Sequence, residues 1–343
     1  MRSLYIDFVK GCAIVLVVLG HAIQYGNGMS YLDECKFYDN PLFKLIYSFH
    51  MPLFMLVSGY LFYTSTIKYQ NQLELLKKKT ISFFLPIISF NFLIWTIPII
   101  DVIKGEYLLP EFIRDFFFYF LLRKSMWFLW SVFFNIIIVC LVRRMGDSFL
   151  FYSIIWIGLL FVPPFLLDGV YSFMYPFFVI GYLSNKYGII QRCRNYISIY
   201  SFVSFLLFLL CLYFFERESY VYVSGQSINR EFGLFYLIVD IYRLITGLLG
   251  SVSIMYICFI IYTKNTLDRF IKVITSFGKM SMGIYCFQCL FFSYWETMII
   301  GCVPFFSVFS TMVTFFLAGS FSIFLTWMSM KSRVAKILLL GGR

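Results

Sequence analysis

The sequence predicts an all-α polytopic integral membrane protein of about ten transmembrane helices, with both termini in the cytoplasm. Three observations carry that expectation. Apolar segments long enough to cross a bilayer recur along the whole chain; 61% of the 343 residues are hydrophobic and only 13% charged; and the basic residues are unevenly shared between alternate connections. An ordinary soluble domain carries roughly 25% charged residues, so this chain cannot build a solvated surface, and soluble, disordered and nucleic-acid-binding classes are excluded together. The net charge of +11 is read connection by connection, because Lys and Arg concentrate on the cytoplasmic side of membranes.

Spans are expected at about residues 4–25, 42–63, 81–103, 126–143, 149–167, 170–185, 197–215, 233–262, 277–299 and 303–327. Each is judged by its capacity to cross roughly 30 Å of hydrocarbon at about 1.5 Å per residue. The first run is too long for a signal-peptide core and lacks a small-residue cleavage site, so it is expected to stay as a helix. The second contains Pro52, whose missing N–H frees the Ser48 carbonyl and predicts a kink. Pro86 and Pro98 in the third span, Pro176 in the sixth and Pro304 in the tenth are expected at or near helix ends. Arg143 and Arg144 separate the fourth from the fifth. No internal repeat, low-complexity tract or long linker divides the chain, so residues 1–330 are expected to form a single transmembrane domain, with 331–343 a short basic cytoplasmic tail.

Of the 28 Lys and Arg residues, one set of alternate connections receives 19 and the other 8. The rich set includes Arg2, Lys10, Lys77, Lys78, Lys79, Arg143, Arg144, Lys186, Lys331 and Arg343; the poor set includes Lys36, Lys104, Arg123, Lys124 and Arg230. The rich side is assigned to the cytoplasm. The opposite side gathers acids such as Asp33, Glu34, Glu106, Asp168 and Glu231. Arg243 alone remains, inside the eighth span. Among nine cysteines, Cys286 and Cys289 form a C-x-x-C without a second pair or nearby histidines, and are read as small packing residues rather than metal ligands. Cys35 and Cys302 both fall near the outer side, and whether they are bridged is open.

Ionisable groups within spans are costly and mark functional candidates. Lys10 and His21, eleven residues apart on the first span, lie about 20° apart in azimuth and about 16 Å apart along a helix axis. Asp7 shares that side, giving a column of Asp7, Lys10 and His21. A structural alternative has Lys10 snorkelling to the interface, neutralised by Asp7, with His21 at the headgroups. A histidine adds general-base chemistry, since its unperturbed pKa of about 6.5 lets it accept a proton near neutral pH. The other histidine, His50, precedes Pro52, where its ring either faces the same interior or bonds to a backbone carbonyl. On the eighth span Asp240 and Arg243 are placed to pair. Ser281, Tyr285 and Gln288 follow helical spacing on the ninth, as do Trp127, Ser131 and Asn135 on the fourth; such polar groups also serve as interhelical glue.

At these residues the sequence resembles the membrane-bound acyltransferase-3 family, and within it the fucose 4-O-acetylase-like branch. The resemblance runs through Asp7-Phe8-Val9-Lys10-Gly11, Val18-Leu19-Gly20-His21, Phe49-His50-Met51-Pro52-Leu53-Phe54 and Ser58-Gly59-Tyr60-Leu61-Phe62. It continues through Trp127-Phe128-Leu129, Pro176-Phe177-Phe178-Val179-Ile180-Gly181 and Phe277-Gly278-Lys279-Met280-Ser281, with Ile284-Tyr285. It implies ten transmembrane helices and transfer of an acyl group, usually acetyl, from cytoplasmic acyl-CoA to a hydroxyl of an envelope carbohydrate. His21 matches the family's essential histidine, and Lys10 its basic residue, an arginine in many members. Two departures stand out. The basic motif before the third helix is Lys77-Lys78-Lys79 without arginine, and Gln288 occupies a position where many members carry histidine.

The expected mechanism follows. Lys77, Lys78, Lys79 and Lys10 would draw the CoA phosphates, His21 would deprotonate a sugar hydroxyl as it attacks the thioester, and Tyr285 or Trp127 would stabilise the oxyanion. His50, Gln288 and Arg243 complete the substrate-side candidates. Acetyl-CoA enters as a substrate, with no tightly bound cofactor and no metal; the partners expected are acetyl-CoA, a carbohydrate acceptor and membrane lipid, with no nucleic acid. The expected location is a bacterial inner membrane. The rival is a transporter or flippase for an anionic glycan or lipid precursor, which internal repeats would favour.

Overall fold

The computed structural model describes residues 4–25, 36–69, 71–105, 108–116, 126–162, 169–224, 234–264, 267–299 and 308–342, and every regular element among the described residues is helical. Arg2, Asp33, Glu34, Cys35, Glu106, Arg123, Lys124, Asp168, Arg230, Glu231, Cys302, Pro304 and Arg343 lie outside them. Helix α1 covers Leu4–Tyr25 and α2 covers Pro41–Lys68. Asn40 caps α2, its side chain accepting from the N–H groups of Leu42 (2.9 Å) and Phe43 (3.2 Å), with Pro41 following in the first turn, where a missing N–H costs nothing. Pro52 does not end α2.

The third expected span is two helices, α3 (Gln72–Ile94) and α4 (Thr96–Lys104). Pro98 is the reason: it cannot donate to the Ile94 carbonyl, and its ring crowds that turn. Gly105, left-handed at φ 76°, closes α4. Helix α5 (Leu109–Asp115) precedes α6 (Trp127–Met145), α7 (Phe149–Leu160) and α8 (Gly169–Lys186). Pro86 and Pro176 lie inside α3 and α8 rather than at their ends: α3 begins at Gln72, in a polar stretch ahead of the apolar window, whereas α8 begins within one residue of the expected start with Pro176 well inside it. The short α9 (Ile189–Arg192) leads to α10 (Ile197–Tyr213), α11 (Val221–Ser224), α12 (Leu234–Thr263), α13 (Asp268–Ile299), α14 (Val308–Lys331) and α15 (Arg333–Leu340). Six stretches among the described residues are long and apolar enough to cross a membrane: Leu4–Tyr25, Pro41–Lys68, Gln72–Lys104, Trp127–Met145, Leu237–Thr263 and Val308–Lys331. Helices α7 and α10 are apolar but shorter. The chain is thus an all-helical polytopic membrane protein.

Two units partition the chain. One comprises Met1–Gly20, Ser30–Leu76 and Phe134–Lys279, the other His21–Met29, Lys77–Phe133 and Met280–Arg343. In the first, α2 packs along α8, α12 lies against α2, and α10 against α12. The α2–α8 contact is backbone to backbone: a Cβ on Gly59 would overlap the Phe178 carbonyl, and one on Gly181 the Leu56 carbonyl. Asn185 Nδ2 donates to the Tyr60 carbonyl across the same contact at 2.7 Å. Glycine serves likewise where α1 meets α13: a Cβ on Gly11 would overlap the Ile274 carbonyl, and one on Gly278 the Asp7 carbonyl. At the α6–α7 turn, Asp147 accepts from Tyr152 OH at 2.7 Å and pairs with Lys186 Nζ at 2.7 Å.

In the second unit, Phe90 of α3 packs edge-to-face on Phe287 of α13, with centroids 4.9 Å apart. Tyr294 OH meets the Thr96 hydroxyl and donates to the Leu93 carbonyl at 3.0 Å, beside the α3–α4 break. Helix α15 packs against α14. Ser82 Oγ donates to the Gly341 carbonyl at 3.0 Å, and the short basic segment 331–343 includes helix α15.

Candidate active site

His21 sits near the end of α1, half-buried, and its Nδ1 lies 3.2 Å from Oε1 of Gln288 on α13. Two aromatic rings frame it. Tyr25, one turn further along α1, approaches at 6.0 Å between centroids, and Phe292, one turn beyond Gln288, at 5.6 Å, both edge-on. Tyr25 and Phe292 stack on each other at 5.2 Å with their planes 22° apart. Helical i, i+4 spacing on each of two helices therefore supplies one polar group and one aromatic wall.

The Gln288 side chain is 0% exposed. Its Oε1 faces His21, while its Nε2 is buried with no hydrogen-bond partner among the described residues. One turn back on α13, the buried Tyr285 OH accepts the Phe128 N–H at 3.4 Å, and its ring meets Phe128 edge-on at 5.5 Å. Trp127 packs on the same Phe128 ring at 6.0 Å. The structure thus joins His21 to Gln288, and Tyr285 to the start of α6.

The other expected residues have contacts of their own. Lys10 Nζ pairs with Asp7 at 3.0 Å, with Asp7 2% exposed, at the glycine crossing that buries this turn of α1. Lys77 and Lys78 are exposed and Lys79 half-buried on α3, where three successive side chains splay over about 200° of helix surface. His50 is 2% exposed and its Nδ1 lies 2.7 Å from the Ile46 carbonyl of its own helix. Because a carbonyl only accepts, that nitrogen carries the proton. Arg243 pairs with Asp240 one turn away, both buried. Together with Tyr47, Ser48, Pro52 and Tyr222, Arg243 lines a small cavity beside the turn where Pro52 leaves the Ser48 carbonyl without its helical donor. Sequence reasoning missed Tyr25 and Phe292, although their i+4 spacing from His21 and Gln288 was available as a signal.

The described geometry sets a histidine against a buried amide inside an apolar helical protein. The class of protein is a membrane acyltransferase. The chain belongs to the acyltransferase-3 family, whose acyltransferase domain matches residues 3–331. It is similar to the nodulation protein NolL of Mesorhizobium japonicum, 27% identical over 306 residues, which is 84% of this chain and 76% of that protein. It is also similar to NolL of Sinorhizobium fredii, 31% identical over 235 residues, or 64% of this chain and 60% of that protein. No solved structure matches it.

Proposed function

We propose that this protein is a multi-pass O-acetyltransferase of a bacterial cytoplasmic membrane. It moves acetyl from cytoplasmic acetyl-CoA to a hydroxyl of an envelope carbohydrate such as O-antigen, capsule or exopolysaccharide. In this reading ten helices cross the membrane and both termini are cytoplasmic. The observation that carries it is His21, an imidazole held by Gln288 and walled by Tyr25 and Phe292 in a chain of an acyltransferase family.

The chemistry balances with these residues. His21 takes the proton of the sugar hydroxyl as its oxygen attacks the thioester carbonyl, the C–S bond then breaks, and the imidazolium returns the proton to the departing CoA thiolate. Tyr285 and Trp127 are proposed as donors to the developing oxyanion. Lys77, Lys78 and Lys79 are proposed to meet the CoA phosphates. Lys10, tied to Asp7, adds a basic group on α1. Arg243 is proposed on the acceptor side, where it lines the cavity of the Pro52 turn.

His21→Ala tests the reading. Cells carrying the variant at matched membrane abundance are expected to lose alkali-labile acetyl from the envelope polysaccharide by about 100-fold or more, the usual scale of general-base catalysis, quantified by NMR and mass. Unchanged acetylation would refute it.

A further inference from the structure

We infer that Gln288 is the positioning residue of His21: its Oε1 fixes the proton on Nδ1 and leaves Nε2 as the basic nitrogen, while its own buried amide N–H2 is kept for an oxygen of the bound substrate. This inference rests on the reading of His21 as the base. The geometry is a contact between α1 and α13, with Nδ1 3.2 Å from Oε1. An amide oxygen only accepts, so the ring nitrogen facing it must donate. A neutral imidazole has one N–H; once Nδ1 holds it, the lone pair is on Nε2. The opposite tautomer would place a proton where the base must receive one.

The second half of the inference comes from the other end of the same amide. Gln288 is 0% exposed, and its Nε2 has no hydrogen-bond partner among the described residues. Buried amide donors are nearly always satisfied, and an unsatisfied one in a fully packed position points to an absent acceptor. Oε1 and Nε2 share one planar group, so the bond to His21 also fixes where the unmet donor points. The stacked Tyr25 and Phe292 rings wall this neighbourhood with apolar surface, against which a polar contact is worth more than in water. A substrate oxygen arriving beside His21 would satisfy the donor, tying substrate binding to the orientation of the base.

The chain has two histidines, which makes the test direct. The full-length protein, labelled with 15N-histidine and held in lipid nanodiscs, gives two imidazole spin systems, and His21→Ala assigns them by deletion. His21 is expected with its proton on Nδ1. In Gln288→Met, similar in length but lacking both amide ends, that preference is expected to collapse toward the Nε2–H form while the His50 signals stay in place as a control for folding. Gln288→Glu keeps an acceptor for Nδ1 and is expected to keep the Nδ1–H tautomer. A wild-type His21 protonated on Nε2, or one unmoved in Gln288→Met, would overturn the positioning role.

Rates of acetyl-ester formation from labelled acetyl-CoA in membranes complete the test. Gln288→Met is expected to fall at least tenfold; Gln288→Glu is expected to recover part of that loss but not all, because the donor is gone. A Gln288→Glu rate equal to wild type would remove the donor half of the inference. Titration of acetyl-CoA onto the purified variants identifies the oxygen. Weakened binding in both assigns it to the thioester, and unchanged binding with slowed transfer to the carbohydrate. If His21→Ala keeps full transfer, the base reading fails on its own, whereas the tautomer is measured without turnover.

Discussion

His50 and His21 differ in where their Nδ1 protons go. His50 gives its proton to the Ile46 carbonyl one turn back on α2, at 2.7 Å, and its ring meets Tyr47 edge-on at 4.7 Å. His21 reaches a side chain 267 residues away in sequence. The first bond anchors a side chain to its own helix, whereas the second joins two helices. His50→Ala is therefore expected to cost about 1–3 kcal/mol of stability, the price of an unmade buried hydrogen bond and lost packing. It should appear as a lowered thermal midpoint of the detergent-purified protein, with transfer by the folded fraction within a few-fold of wild type; a loss matching that of His21→Ala would instead place His50 at the chemistry. The sequence marks both imidazoles as intramembrane polar groups, and helical spacing puts Gln288 on a stripe with Ser281 and Tyr285. It does not show that this stripe meets His21, because no local periodicity reports a contact over that separation. The Asp7–Lys10 pair was legible for the opposite reason: it is local, three residues apart on one helix.

At the level of helices, the segments that carry the family resemblance pack against one another. Gly11 of Asp7-Phe8-Val9-Lys10-Gly11 and Gly278 of Phe277-Gly278-Lys279 lie at one crossing; Gly59 and Gly181 lie at another; Phe128 meets Tyr285 at a third. These parts of the signature therefore set the distances between helix backbones. Gly59→Ala and Gly181→Ala are expected to cost at least about 1–3 kcal/mol by overpacking, and more because the clash is with backbone carbonyls; purified yield and thermal unfolding would show it. Gly319, in α14 with nothing within 4 Å of a built Cβ, makes the contrast. There alanine is expected to be neutral or to stabilise by up to about 1 kcal/mol through helix propensity. If Gly59→Ala and Gly319→Ala behave alike, the crossing is not close-packed. Hydropathy located the elements better than their ends. It merged α3 and α4, since Trp95 and Pro98 are as apolar on average as a continuous span, and it placed Pro86 too near a helix terminus because the polar first turns of α3 were counted as connection.

Across the whole molecule, the ten-span reading rests on apolar length and its orientation on the basic residues. Helix α7 covers 12 residues, about 18 Å at helical rise, short of the roughly 30 Å core. Helix α13 is long enough, but opens with Asp268, Arg269 and Lys272 and carries Lys279, so averaged hydropathy undervalues its apolar second half. The proposed topology predicts that a green fluorescent protein fused after Arg343 fluoresces while alkaline phosphatase fused there is inactive; the reverse pattern would place the C-terminus outside. The glycine contact of α2 with α8 bears finally on how such a chain is made. Tyr60 and Asn185, joined across that contact, are 125 residues apart. At roughly 5–20 residues per second, α2 leaves the ribosome about 6–25 s before its partner exists. During that interval the Gly59 notch faces lipid or an insertase instead of α8, so one of the close-packed pairs of the mature unit spends its first seconds apart.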